Sequence, residues 1–178
     1  ASMNLDRWIA AERLERDAFG NYSFAWLVLV AAQSVQGLLN SGLLPLLARR
    51  CAESLEHSAL RLTRIVSLTL LAGGLLLVAP TWWSLAAAIE WTLPRYLGAE
   101  SLIAPLLIAA ALRMSDFWSS LLIVLEREGL VLAAQTVAVA VAATGFAVSL
   151  SLGAVPLSPL SLAWLACATA GLSHAASA

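Results

Sequence analysis

Apolar residues in this chain come in long blocks separated by short polar connections, not in alternation. Five blocks, at about 22–47, 62–82, 101–125, 130–152 and 157–178, are long enough to cross a bilayer as helices. Uninterrupted apolar runs of this length satisfy their backbone in lipid as helices, so strands are not expected. The pattern predicts an all-α, polytopic transmembrane helix bundle over residues 1–178: about five full spans plus the end of a preceding helix.

The connections refine this picture. In residues 1–18, Leu5, Trp8, Ile9 and Leu14 recur at helical spacing, and mixed charges gather from Glu12 to Asp17. This segment reads as the last turns of a spanning helix or as an amphipathic interfacial helix. Phe19-Gly20-Asn21-Tyr22 reads as a turn. Gly73 and Gly74 lie mid-way along the second span, where small residues permit close helix approach. Between the second and third spans, Trp82, Trp83, Trp91 and Tyr96 accompany Glu90, Arg95 and Glu100. Aromatics of this kind belong at headgroup level, and a short interfacial helix broken near Pro94 is expected. Ala163, Ala166, Ala170 and Gly171 make the fifth span a packing helix.

Composition agrees: 61% of residues are hydrophobic, only 12% are charged, and the mean hydropathy is +0.85. That is too little charge to cover a soluble domain, so membrane lipids are its surroundings. The net charge of −1 says nothing about nucleic acid, and no basic stripe with interleaved aromatics supports such a partner, so none is expected. All ten basic residues are arginine, which reflects base composition more than chemistry. Cys51 and Cys167 belong to no metal or redox motif and read as two buried thiols. The segment 1–20 lacks the apolar core of a signal peptide, and both ends read as cuts in a longer chain. Arg49, Arg50, Arg61 and Arg64 form the strongest basic cluster, which places connection 48–64 in the cytoplasm. Counting spans puts 126–129 on the same side, and 10–21, 83–100 and 153–156 on the other.

Polar residues inside the spans carry the candidate chemistry. Arg113 and Asp116 lie three apart in the third span, where one central charge costs about 2.5–3.5 kcal/mol on insertion scales. Either they form a self-neutralising pair that tolerates burial, or Arg113 is a cationic point in a translocation cavity held by Asp116. The cavity role is favoured, because intramembrane ionisable residues mark function by default. The guanidinium fork suits phosphate or carboxylate, and Asp116 is alternatively a proton carrier. In the first span, Gln33, Gln36 and Asn40 share one helical face. This amide stripe either lines a cavity for hydroxyl-rich ligands or makes interhelical polar contacts. Asp6 and Arg7 form a further charged pair: one faces a cavity, or both sit at the interface. His57 and His174 are isolated, and no phosphate-binding glycine loop occurs. The reading is therefore a non-enzyme without metal or cofactor, driven by an ion gradient or by its substrate.

The order of several short motifs resembles a known family. They are Asn4-Leu5-Asp6-Arg7, Phe19-Gly20-Asn21-Tyr22 and Leu44-Pro45-Leu46-Leu47-Ala48-Arg49, followed by Tyr96-Leu97-Gly98-Ala99-Glu100 and Val124-Leu125-Glu126-Arg127-Glu128-Gly129. Together they resemble the C-terminal half of a bacterial polysaccharide (O-antigen) flippase of the multidrug/oligosaccharidyl-lipid/polysaccharide exporter superfamily. The resemblance implies that residues 1–18 end a seventh helix and that the five spans are helices eight to twelve. It implies one half of a two-bundle transporter in the bacterial inner membrane, with alternating access. The cargo would be an undecaprenyl-diphosphate-linked oligosaccharide for polysaccharide and lipopolysaccharide biosynthesis, met by a cationic cavity. The missing N-terminal half and a polysaccharide polymerase are the implied partners. The alternatives are an ion-coupled multidrug exporter of the same superfamily and a truncated, non-functional fragment.

Overall fold

The structure is a computed structural model and describes residues 5–53, 56–151, 153 and 158–177. The described residues are helical throughout their regular parts, with no strand. The helices are α1 (Leu5–Arg13), α2 (Arg16–Ala52), α3 (Glu56–Thr92), α4 (Glu100–Met114), α5 (Trp118–Val124), α6 (Glu128–Ser151) and α7 (Pro159–Ser177). A 3₁₀ segment, Pro94–Ala99, joins α3 to α4. Among the described residues, four stretches are long and apolar enough to cross a membrane: Arg16–Ala52, His57–Thr92, Pro94–Val124 and Glu128–Ser151. The expected fifth span appears as α7, which is helical but is not one of those four. The connection expected at 153–156 falls largely outside the described residues.

Two helices exceed the expected spans. At 37 residues each, α2 and α3 reach about 55 Å, well beyond a hydrocarbon core of about 30 Å. The turn expected at Phe19–Tyr22 does not form, because the helix runs through it, with Phe19 N–H donating to Glu15 O at 2.8 Å. Packing overrides local propensity here. Tyr22, Ala25, Trp26 and Leu29 are all buried, at the spacing of one helical face, and a turn would pull that face off the core. The break near Pro94 does form, but no separate interfacial helix precedes it, because α3 runs on unbroken to Thr92. Leu93, before the proline, leaves the helical region at φ −137°, ψ 55°, as pyrrolidine sterics disfavour helix there.

The stretch containing α4 and α5 is the centre of the bundle. Of its most apolar part 44% is buried, against 11% for each of the other three spanning stretches. Helix α4 packs on α2, α3 and α7, and α6 joins mainly through α7. The larger apolar cluster gathers Leu29 of α2, Ile89 of α3, Leu106 of α4 and Leu162 of α7. A second cluster seats Phe117 and Leu121 against Leu47 of α2 and Ala59 of α3. It places the α5–α6 reversal at the same end as the 48–64 connection, as span counting requires. There Arg49 Nε donates to Glu53 Oε1 at 2.9 Å, and Arg50 Nη1 to Ser58 Oγ at 3.2 Å. The reversal itself turns at Glu126, in the left-handed region at φ 58°. Glu126 N–H donates to Ile123 O and Arg127 N–H to Leu122 O, the paired bonds that close a helix end.

Large apolar side chains such as Leu38, Leu76 and Leu132 are exposed along the outside. Lipid rather than water is the fitting neighbour for such a surface. The chain is a membrane protein with an all-α polytopic bundle.

Of the two central glycines, only Gly74 makes the close approach expected of the pair. A Cβ at Gly74 would lie 2.8 Å from Ala111 Cβ, whereas one at Gly73 would meet nothing within 4 Å. Gly74→Val should therefore destabilise the protein by about 1–3 kcal/mol, as overpacking does. Gly73→Ala should be neutral or stabilising by up to about 1 kcal/mol. Thermal unfolding in detergent of both variants checks the contrast.

Candidate functional site

The expected third span is not one helix. Helix α4 ends at Met114, Ser115–Phe117 is irregular, and α5 starts at Trp118. Local chemistry explains the break, since Ser and Asp side chains offer the backbone alternatives to helical bonds. Ser115 Oγ donates to Leu112 O at 2.8 Å, and Asp116 Oδ2 accepts from Ser119 Oγ at 2.8 Å. The main chain folds tightly, with Asp116 N–H on Arg113 O at 3.2 Å and Phe117 N–H on Ser115 O at 2.8 Å.

Neighbouring helices complete the satisfaction of this segment. Ser67 Oγ of α3 donates to Ser115 O at 2.5 Å, filling the second lone pair of that carbonyl. His174 Nδ1 of α7 lies 3.3 Å from Ser115 Oγ. That hydroxyl already gives its single proton to Leu112 O, so the histidine nitrogen is the donor when both contacts hold. Ser120 Oγ of α5 donates to Asn40 Oδ1 of α2 at 3.1 Å.

Charge placement follows the helix dipoles. Arg113 sits in the last turn of α4, beside its negative end, and Asp116 precedes the first turn of α5. Both are half-buried and line one cleft. The expected i,i+3 placement on a continuous helix is thus replaced by a tight turn that still brings the two to one place. Gln36 of α2, Gln135 of α6, and Thr169 and Ser173 of α7 join them. The cleft holds about 50 Å³ of space for water-sized molecules, room for a few waters.

Of the residues expected from sequence, Gln36, Arg113 and Asp116 meet at the cleft. Asn40 meets the same irregular segment one turn farther along α2, through Ser120. Gln33 is half-buried on α2 outside the cleft lining. Arg7 lies elsewhere, exposed, with its guanidinium carbon 5.2 Å from the Trp26 ring centroid. Arg7 also lines a separate hollow with Trp8, Ala11 and Phe19. The Asp6 side chain falls outside the described residues. Cys167 is buried as expected, but Cys51 is only partly so, and both are free thiols. Gln135, Thr169 and Ser173 were not expected. Gln135 did carry a signal, as the sole amide in the aliphatic run 130–152.

No protein-family model, curated protein or solved structure matches this chain. The functional reading therefore rests on the geometry of the break and on the sequence motifs.

The Asn40–Ser120 contact ties α2 to α5 across the break. A double-mutant cycle with Asn40→Ala and Ser120→Ala should show a coupling of about 0.6 kcal/mol, up to about 1.7 kcal/mol. Unfolding in detergent measures it, and additivity of the two changes would mean that the contact contributes nothing.

Proposed function

We propose that this chain is the C-terminal helical half of a transporter that flips undecaprenyl-diphosphate-linked oligosaccharide units across the bacterial inner membrane. One observation carries the reading: charged, amide and hydroxyl groups from α2, α4, α6 and α7 converge on a break in the central helix of the bundle. Discontinuous helices with polar groups at the break are the recurring construction of substrate and ion sites in transporters. Irregular backbone at membrane depth is tolerated where it is buried in protein or lines a cavity.

In this reading Arg113 is the contact for the diphosphate, because its planar fork pairs with phosphate oxygens and never loses its charge. Asp116 holds the guanidinium in register, and Gln36 and Gln135 supply amides for sugar hydroxyls. The cleft is far smaller than a lipid-linked oligosaccharide, so this bundle supplies one wall and the partner half the other. A polysaccharide polymerase takes the delivered units.

Arg113→Ala in the full-length transporter should lower surface polysaccharide about tenfold or more with the membrane level of the protein unchanged. Arg113→Lys should rescue it only in part, since an ammonium cannot reproduce the bidentate fork. Glycan staining of intact cells beside immunoblotting of membranes reads both. Normal polysaccharide in the Ala variant overturns the reading. Lost drug resistance in Asp116→Asn, with glycan export intact, assigns the site to an ion-coupled drug exporter.

A further inference from the structure

At the opposite end of the bundle from the α5–α6 reversal, a second cleft opens between the start of α2 and the 3₁₀ segment. Arg16, Asp17, Gly20, Asn21, Arg95 and Tyr96 line it, around a volume of about 570 Å³. Among the described residues, Arg16, Asp17 and Arg95 form no ion pair or hydrogen bond through their side chains. Two guanidiniums and one carboxylate therefore border the same polar hollow with their hydrogen-bonding capacity available.

The two walls are locked together. Gly98 approaches Asn21 so closely that a Cβ there would lie 2.6 Å from the Asn21 amide nitrogen. Phe24 and Tyr96 stack with ring centroids 4.5 Å apart and an interplanar angle of 18°. Arg16 begins a 37-residue helix, where the peptide dipoles add positive potential. Packing thus fixes the two backbone segments that carry the arginines relative to one another.

The depth of this cleft follows from its surroundings. Trp83 and Trp91 of α3 are 71% and 86% exposed at this end of the helix, beside the exposed Leu93 and Leu97. Exposed tryptophans at the end of a spanning helix mark the headgroup layer. A polar hollow at that level lies within reach of phospholipid headgroups.

We propose that this cleft binds the headgroup of an amine-bearing, zwitterionic phospholipid, with Arg16 and Arg95 on the phosphate and Asp17 on the ammonium. Paired guanidiniums suit a phosphodiester. The carboxylate sets the preference, because it repels a headgroup that is only anionic and attracts one that carries an ammonium. The proposal needs a membrane chain but not a transport role, so its fate is separate from that of the Arg113 cleft.

The test uses the intact protein carrying this chain, purified in detergent, with lipid binding followed by native mass spectrometry. Phosphatidylethanolamine, phosphatidylglycerol and inorganic phosphate are the three probes. Wild type should bind phosphatidylethanolamine best. The Arg16→Gln/Arg95→Gln double variant should bind it about tenfold more weakly or worse, with helical content by circular dichroism unchanged. Asp17→Asn should reverse the preference in favour of phosphatidylglycerol. Wild-type binding by the double variant overturns the site. Equal occupancy with inorganic phosphate overturns the lipid source, and an unchanged preference in Asp17→Asn overturns the role given to the carboxylate.

Discussion

A peptide group stranded in hydrocarbon costs several kcal/mol, so a helix crossing a membrane is interrupted only where other groups take over its hydrogen bonds. The link between α4 and α5 is such a place, and the rest of the bundle is arranged around it. Ser115 O accepts from Phe117 N–H and from Ser67 Oγ, and Ser119 engages the carboxylate of Asp116. Ser67 thus does for the Ser115 carbonyl what water would do elsewhere, while Asn40 takes the hydroxyl proton of Ser120 beside it.

The apolar packing serves the same arrangement. One cluster holds α4 to α2, α3 and α7, and a smaller one holds α5 to the facing ends of α2 and α3. The break lies between them, so each half of the central helix is anchored separately. Two dry anchors with a polar joint between them allow charged groups to sit inside the bundle without facing lipid. The close approach of Gly74 to Ala111 keeps α3 within reach of the joint, three residues before Met114 ends α4.

Much of this was legible along the chain, and the exceptions have physical causes. The proline break was read correctly because the ring acts on its immediate neighbour, a local effect. The turn expected at Phe19–Tyr22 was not formed, because Gly20 and Asn21 only permit a turn whereas Tyr22, Ala25, Trp26 and Leu29 reward a helix. The break at Ser115–Phe117 was hidden within an apolar run. Its signal is the Asp116…Ser119 spacing, that of a side chain satisfying a helix start. Gln135 went unread because a single amide in an aliphatic helix has no meaning until the facing helix is known.

Class, membrane setting and the identity of the intramembrane polar residues were determined by the sequence itself, since hydrophobic run length and charge counts act residue by residue through transfer free energies. Which polar residues meet was decided only in the tertiary structure. Gln36, Arg113, Asp116, Gln135 and Ser173 lie on separate elements, and their convergence depends on how far each helix extends and how it turns against α4. Arg7, on the polar helix α1, instead lies against Trp26 and away from the cleft. A helix presents all its faces in sequence, and only its neighbours choose the buried one.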